Sequence, residues 1–148
     1  MEERSLTNDI KFGLKKEEEI LPLLVHNWKE EKNILNTKIR FNNEFHKYDF
    51  ESDGGSVWEV KSRRNKKNTY PTTIIPIHKS LVSKNNKPYY MVFNFVDVCS
   101  YIEYDEELFK TFNVKTIRCY RKGAMPLPIL HYEIPVHLLK DLMPLNEN

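Results

Sequence analysis

The stretch Lys47-Tyr-Asp-Phe-Glu-Ser-Asp-Gly-Gly-Ser-Val-Trp-Glu-Val-Lys-Ser-Arg-Arg64 decides the fold. It predicts two short strands joined at Asp53-Gly54-Gly55, residues that tolerate the positive φ of a tight hairpin. Tyr48 and Phe50 alternate with Asp49 and Glu51; Trp58 and Val60 alternate with Val57, Glu59 and Lys61. Successive strand side chains point to opposite faces, so Glu59 and Lys61 share one face. A hairpin symmetric about Gly54 sets Asp49 directly opposite Glu59. Two carboxylates and an ammonium then gather on one patch, while Tyr48, Phe50, Trp58 and Val60 carry the other face into a core. Paired hard oxygen ligands suit Mg²⁺, and a fixed lysine beside them can orient a water or balance charge on a phosphate. The same alternation also describes any half-exposed hairpin, whose cross-strand charge pairs contribute only ~0.2–1 kcal/mol.

Upstream, Thr7-Asn8-Asp9 offers N-caps for a helix reaching about Lys32, with Ile10, Leu14, Leu21, Leu24, Val25 and Trp28 as its apolar stripe. Pro22 should kink or divide it. Glu17 falls on that stripe, Glu18 lies close to it and Glu19 points elsewhere. A carboxylate there needs a partner, a metal or the Lys61 ammonium, because an unpaired buried charge is costly. Acids early in a helix are also favoured by its dipole, whatever their function. Asn33 to Glu44 reads as a loop and an edge strand.

Downstream, the run from Lys61 to Lys87 holds Lys61, Arg63, Arg64, Lys66, Lys67, Lys79, Lys84 and Lys87 and no acid. Cations neutralise phosphates, hydroxyls and amides donate to them, and Tyr70 can stack on a base. Arg63, Arg64, Lys66, Lys67, Tyr70 and Lys79 are therefore the nucleic-acid-binding candidates. Acids gather instead in Asp97, Glu103, Asp105, Glu106 and Glu107. A short strand and a helix from near Pro76 precede Tyr89–Val96, whose nearly unbroken apolar run predicts a central strand buried on both faces. Strands follow over Val98–Tyr104, Val114–Tyr120 and Ile129–Ile134, with a short helix at Asp105–Phe112. Pro135 is placed to open a last helix through Leu142.

At 148 residues, 30% charged and 40% hydrophobic, with a net charge of +2, the chain reads as one domain spanning 1–148. Cys99 and Cys119 stand alone, without zinc-ligand spacing. Met1-Glu2-Glu3-Arg4 lacks a secretory leader's basic flank and apolar run. No stretch approaches the ~20 apolar residues of a membrane span. The expectation is an intracellular protein, cytoplasmic, nuclear or virus-encoded and made in a host cell, without membrane contact. Glycine-rich phosphate loops, HExxH and nucleophile elbows are missing from the sequence. Helices and strands in this order make an α/β or α+β protein around a mixed sheet.

Asp49, a gap of nine residues, then Glu59-Val60-Lys61 on a hairpin resembles the signature of the PD-(D/E)xK nuclease superfamily, the restriction-endonuclease-like and junction-resolvase-like enzymes. Tyr48 stands where the signature has its proline. The resemblance covers roughly the first two thirds of the chain, to the strand near Phe95. It implies an α/β three-layer fold, a central mixed sheet flanked by helices. It also implies a Mg²⁺- or Mn²⁺-dependent nuclease that hydrolyses phosphodiester bonds in DNA, with RNA left open. Asp49, Glu59 and the Val60 carbonyl would hold the ion and Lys61 would position the water or offset the transition-state charge. The family's first helix often carries a glutamate after a glycine; Gly13-x-x-x-Glu17 is similar, which gives Glu17 an assisting metal role, with Glu18 next in line. A following helix often brings another basic residue to the site, and Lys79 fits that place. Related viral nucleases add a histidine ligand, but nothing places His26 or His46 in that role. The resemblance leaves open endonuclease or exonuclease, homodimer, and an accessory protein supplying specificity. The competing readings are a non-catalytic nucleic-acid-binding module on the same fold and a protein-interaction domain with merely solvated charges.

Overall fold

A computed structural model describes residues 16–37, 48–82, 87–119 and 127–145. In chain order these form α1 (residues 16–27), β1 (Leu35–Asn36), β2 (Phe50–Glu51), β3 (Val57–Ser62), β4 (Thr72–Pro76), β5 (Tyr89–Asn94), β6 (Cys99–Glu103), α2 (Glu106–Phe109), β7 (Asn113–Cys119), β8 (Leu127–Pro135) and β9 (Lys140–Asp141). The larger sheet has the order β1-β2-β3-β5-β6-β9, the smaller one β4-β8-β7. Only β3 and β5 run parallel, Val57 beside Tyr89 through Ser62 beside Asn94; the other described pairs are antiparallel. The fold is thus α/β around a mixed six-stranded sheet.

The hairpin forms as its residues predict. Phe50 faces Trp58 and Glu51 faces Val57, which centres the turn on Gly54. Gly55 takes φ +92°, and a Cβ there would lie 3.3 Å from the Lys87 stem, so the position favours glycine twice over. The segment after α1 clamps this turn. Glu31 accepts from the Ser52 and Ser56 hydroxyls at 2.8 and 2.7 Å, and the Asp53 N–H donates to the Lys32 carbonyl at 2.9 Å.

Two cores lie on opposite faces of the large sheet. On one, Phe50, Trp58, Val92 and Cys99 pack against Ile20 and Leu24 of α1. On the other, Val57, Met91, Phe93 and Ile102 meet Ile75 and Ile134 of the small sheet and Phe109 of α2. Helices were expected on both faces; among the described residues the second face is covered chiefly by strands. Tyr48 also departs from the expected alternation. It joins Val57's core rather than Phe50's, because the chain leaves strand geometry before Phe50 and the alternation lapses there.

Helix α1 runs unbroken through Pro22, which is exposed, and ends at 27 rather than Lys32. Asn27 ends it. Its amide donates to the Leu23 carbonyl at 2.9 Å and to the Met143 carbonyl at 3.0 Å, and its side-chain oxygen accepts from the Met143 N–H at 2.7 Å. Val25, assigned to the apolar stripe, is 48% exposed. The proposed caps Thr7-Asn8-Asp9, and Ile10 and Leu14, lie outside the described residues. The helix expected from Pro76 is a 3-10 turn, Ile77–Val82. The helix expected over Pro135–Leu142 is a 3-10 turn, Val136–Leu138, followed by β9. There the open edge of β6 wins over local propensity: Lys140 pairs with Tyr101, and Asp141 accepts from Ser100 and Lys67, each at 2.6 Å. The short helix expected at Asp105–Phe112 is present as α2, with the Asp105 carboxylate capping the Leu108 N–H at 3.0 Å. No helix among the described residues is long and apolar enough to cross a membrane.

Candidate active site

Asp49 is fixed on three sides. Its N–H donates to the Trp58 carbonyl at 3.0 Å, its carbonyl accepts from the Thr37 N–H at 2.9 Å, and Oδ2 accepts from the Val60 N–H at 2.7 Å. Asp49 lies just outside the paired register of β2 and β3, which ends with Phe50 opposite Trp58, and its charge acts on Glu59. Val57 and Arg63 turn their N–H groups to the β5 side, donating to Pro88 and Asn94. Val60 is out of phase with them, so its N–H and carbonyl both face the Asp49 edge. Two carboxylates and a main-chain oxygen therefore border one region where β2 has ended and β3 continues.

Glu59 is 3% exposed, and the Lys79 ammonium lies 3.3 Å from its Oε1. That ion pair is the contact made by Oε1 among the described residues. Burial first, and then the neighbouring Asp49 charge, push the Glu59 carboxyl up to about 7; Lys61 and Lys79 oppose the rise. Lys61, half-buried beside it, is moved the other way. Desolvation lowers its ammonium pKa, against the pull of Glu59. One further group belongs here that the sequence did not single out. The Tyr89 hydroxyl is buried with no hydrogen-bond partner among the described residues, and burial followed by the charges of Glu59 and Asp49 raises its pKa. Within the run Tyr89–Val96 nothing marks that tyrosine; only the parallel pairing of β5 with β3 brings it alongside.

Glu17 is buried, as its place on the helical stripe predicts, while Glu18 and Glu19 are exposed. Its Oε2 accepts from the Asn36 amide at 3.2 Å. Among the described residues no three His, Cys, Asp or Glu side chains are grouped to hold a metal. Glu17, Asp49 and Glu59 are thus not such a group. The reason is the layering: α1 packs on the Trp58 face of β3, and Glu59 points to the opposite face.

The basic candidates divide. Lys79 is turned inward to Glu59. Lys67 is bound to Asp141 at 2.6 Å and ties the loop to β9. Arg63 donates through Nε to Thr73 at 3.2 Å and through Nη2 to the Ile74 carbonyl, with its guanidinium 5.5 Å from the Phe93 ring centre. Arg64, Lys66 and Tyr70 are exposed. His26 borders a surface cleft with Trp28 and Tyr90, and His46 lies outside the described residues. No protein-family profile, curated protein or solved structure matches this chain.

Proposed function

We propose that the protein is a metal-dependent nuclease that hydrolyses phosphodiester bonds in DNA, on a fold of the restriction-endonuclease-like kind. The observation that carries this reading is the closeness of two buried carboxylates, Asp49 and Glu59, whose charges act on one another, with Lys61 beside Glu59 on the same strand. Two like charges buried together are unfavourable unless a cation or proton joins them. Mg²⁺ fits this donor set, because it is commonly held by one or two carboxylates and keeps its remaining positions for waters and substrate phosphate. Asp49, Glu59 and the Val60 carbonyl would hold it, with Mn²⁺ as the alternative ion. When bound, the ion would supply Lewis-acid polarisation of the phosphate and a more acidic water.

The chain's own residues do the rest. The three backbone and side-chain contacts of Asp49 hold its carboxylate in place before any ligand arrives. Lys61, with its pKa lowered, offers an ammonium that can orient water or meet charge developing on the phosphate. Lys79 balances Glu59 while no metal is bound. Glu17 acts from the other face, through Asn36 and β1, and so positions rather than ligates.

A second reading has its own support. The Glu59–Lys79 ion pair, which already balances one carboxylate, also suits a non-catalytic nucleic-acid-binding module. Labelled DNA and RNA incubated with Mg²⁺, Mn²⁺ or EDTA separate the two. Metal-dependent cutting lost in both Glu59→Ala and Lys61→Ala supports the nuclease. Salt-sensitive binding with no cutting in any metal supports the module.

A further inference from the structure

A groove of about 570 Å³ opens at the carboxyl ends of β3 and β5, lined by Lys16, Ser62, Arg63, Arg64, Asn94 and Val96, with Phe95 at its back. Its position follows from the topology, since β3 and β5 are the parallel pair and ligands in α/β sheets gather beyond the carboxyl ends of such strands. It begins one residue after Lys61. Among the described residues, three cations line it and no acid does. Lys16 has a carboxylate near, Glu19 at 3.7 Å on the same helix, a weak pair between two exposed side chains. Arg63 is different. Half-buried, it is held by the neutral acceptors Thr73 and Ile74 and by the Phe93 ring, and no carboxylate among the described residues pairs with it. A partly buried guanidinium fixed by neutral groups lacks its counterion. Arg64 is exposed beside it, and Ser62 and Asn94 add neutral donors at the same end of the sheet.

We propose that this groove binds a phosphate of a polynucleotide backbone, next to the phosphate presented to Glu59 and Lys61. Arg64 and Lys16 make the contact, and Arg63 supplies a fixed positive wall. Guanidinium, ammonium, hydroxyl and amide are the groups that contact phosphate oxygens, and they carry no base preference. The proposal rests on the polynucleotide part of the reading above and does not need turnover.

The test is fluorescence anisotropy of a labelled oligonucleotide in EDTA over a series of KCl concentrations. The proteins are wild type, Arg64→Ala, Arg64→Lys and, as a distant control, Lys115→Ala on exposed β7. Losing one phosphate contact should lower the salt slope by about 1, which is about tenfold weaker binding at ~0.1 M salt. Arg64→Lys should keep the slope, and Lys115→Ala should leave binding unchanged. Circular dichroism checks that each variant is folded. An unchanged slope in Arg64→Ala overturns the proposal, and so does a loss in Lys115→Ala equal to that in Arg64→Ala. Competition with inorganic phosphate and a mononucleotide tests the source of the phosphate. Displacement at concentrations matching the oligonucleotide's overturns the backbone assignment in favour of a small phosphate ligand. Cutting intact with an unchanged slope sinks the groove and leaves the nuclease standing; the reduced slope with no cutting does the reverse.

Discussion

Replacing Glu59 by Gln keeps the shape of the side chain and removes its charge. Its carboxyl sits at about 7 in the folded protein against an ordinary 4.5. The folded state therefore takes up this proton at higher pH than the unfolded chain does. Stability from the group is fully present below the unfolded value and is lost as pH rises through the folded one. The gap between 4.5 and about 7 corresponds to about 3 kcal/mol, lost across that window and constant above it. The assay is urea unfolding of wild type and Glu59→Gln in EDTA at intervals from about pH 4 to about pH 8. The difference between the proteins isolates this one group from the other titrating side chains. The variant should gain on wild type by about 3 kcal/mol as pH rises, with most of the change complete near 7. Excess Mg²⁺ should shrink the difference at the alkaline end, because an ion stabilises the charged carboxylate. A difference that stays flat, or that runs the other way, refutes the claim that Glu59 is buried against Asp49 without full compensation.

Three other substitutions probe the framework of the site. Asp49→Asn keeps an acceptor for the Val60 N–H and should cost little stability, whereas Asp49→Ala leaves that donor unmet and should cost about 1–3 kcal/mol by urea unfolding. Lys79→Met removes a cation that holds the Glu59 pKa down, so the stability loss should move to higher pH, read from the same urea series. Glu31→Ala frees the Ser52 and Ser56 hydroxyls together and should lower stability by about 2 kcal/mol, with faster amide exchange at Gly55 than at β5.

Local features were legible in the sequence and distant ones were not. The hairpin depends on neighbours: a glycine pair sets the turn, and alternation then settles which residues oppose one another. Phe50 opposite Trp58 follows from that alone. Helical periodicity likewise placed Glu17 on a buried stripe. Tyr48 escaped because alternation holds only while the chain stays a strand. The segment Val136–Leu142 has ordinary helical composition, and only the open edge of β6 makes its end a strand. Lys79 could be placed near the site by family resemblance, but its approach to Glu59 comes from the small sheet packing over β3. The place of Tyr89 beside the site depends on the β3–β5 pairing, across more than twenty residues of intervening chain. No local pattern encodes such a contact.

In the proposed function Asp49 and Glu59 share one divalent cation. Crystals soaked in MnCl₂, with diffraction collected at the manganese absorption edge, test this most directly. The account predicts an anomalous peak between the two carboxylates, within ligand distance of the Val60 carbonyl, and no such peak in Glu59→Gln. A peak elsewhere, with Asp49 still bound to the Val60 N–H and Glu59 still paired to Lys79, would contradict it.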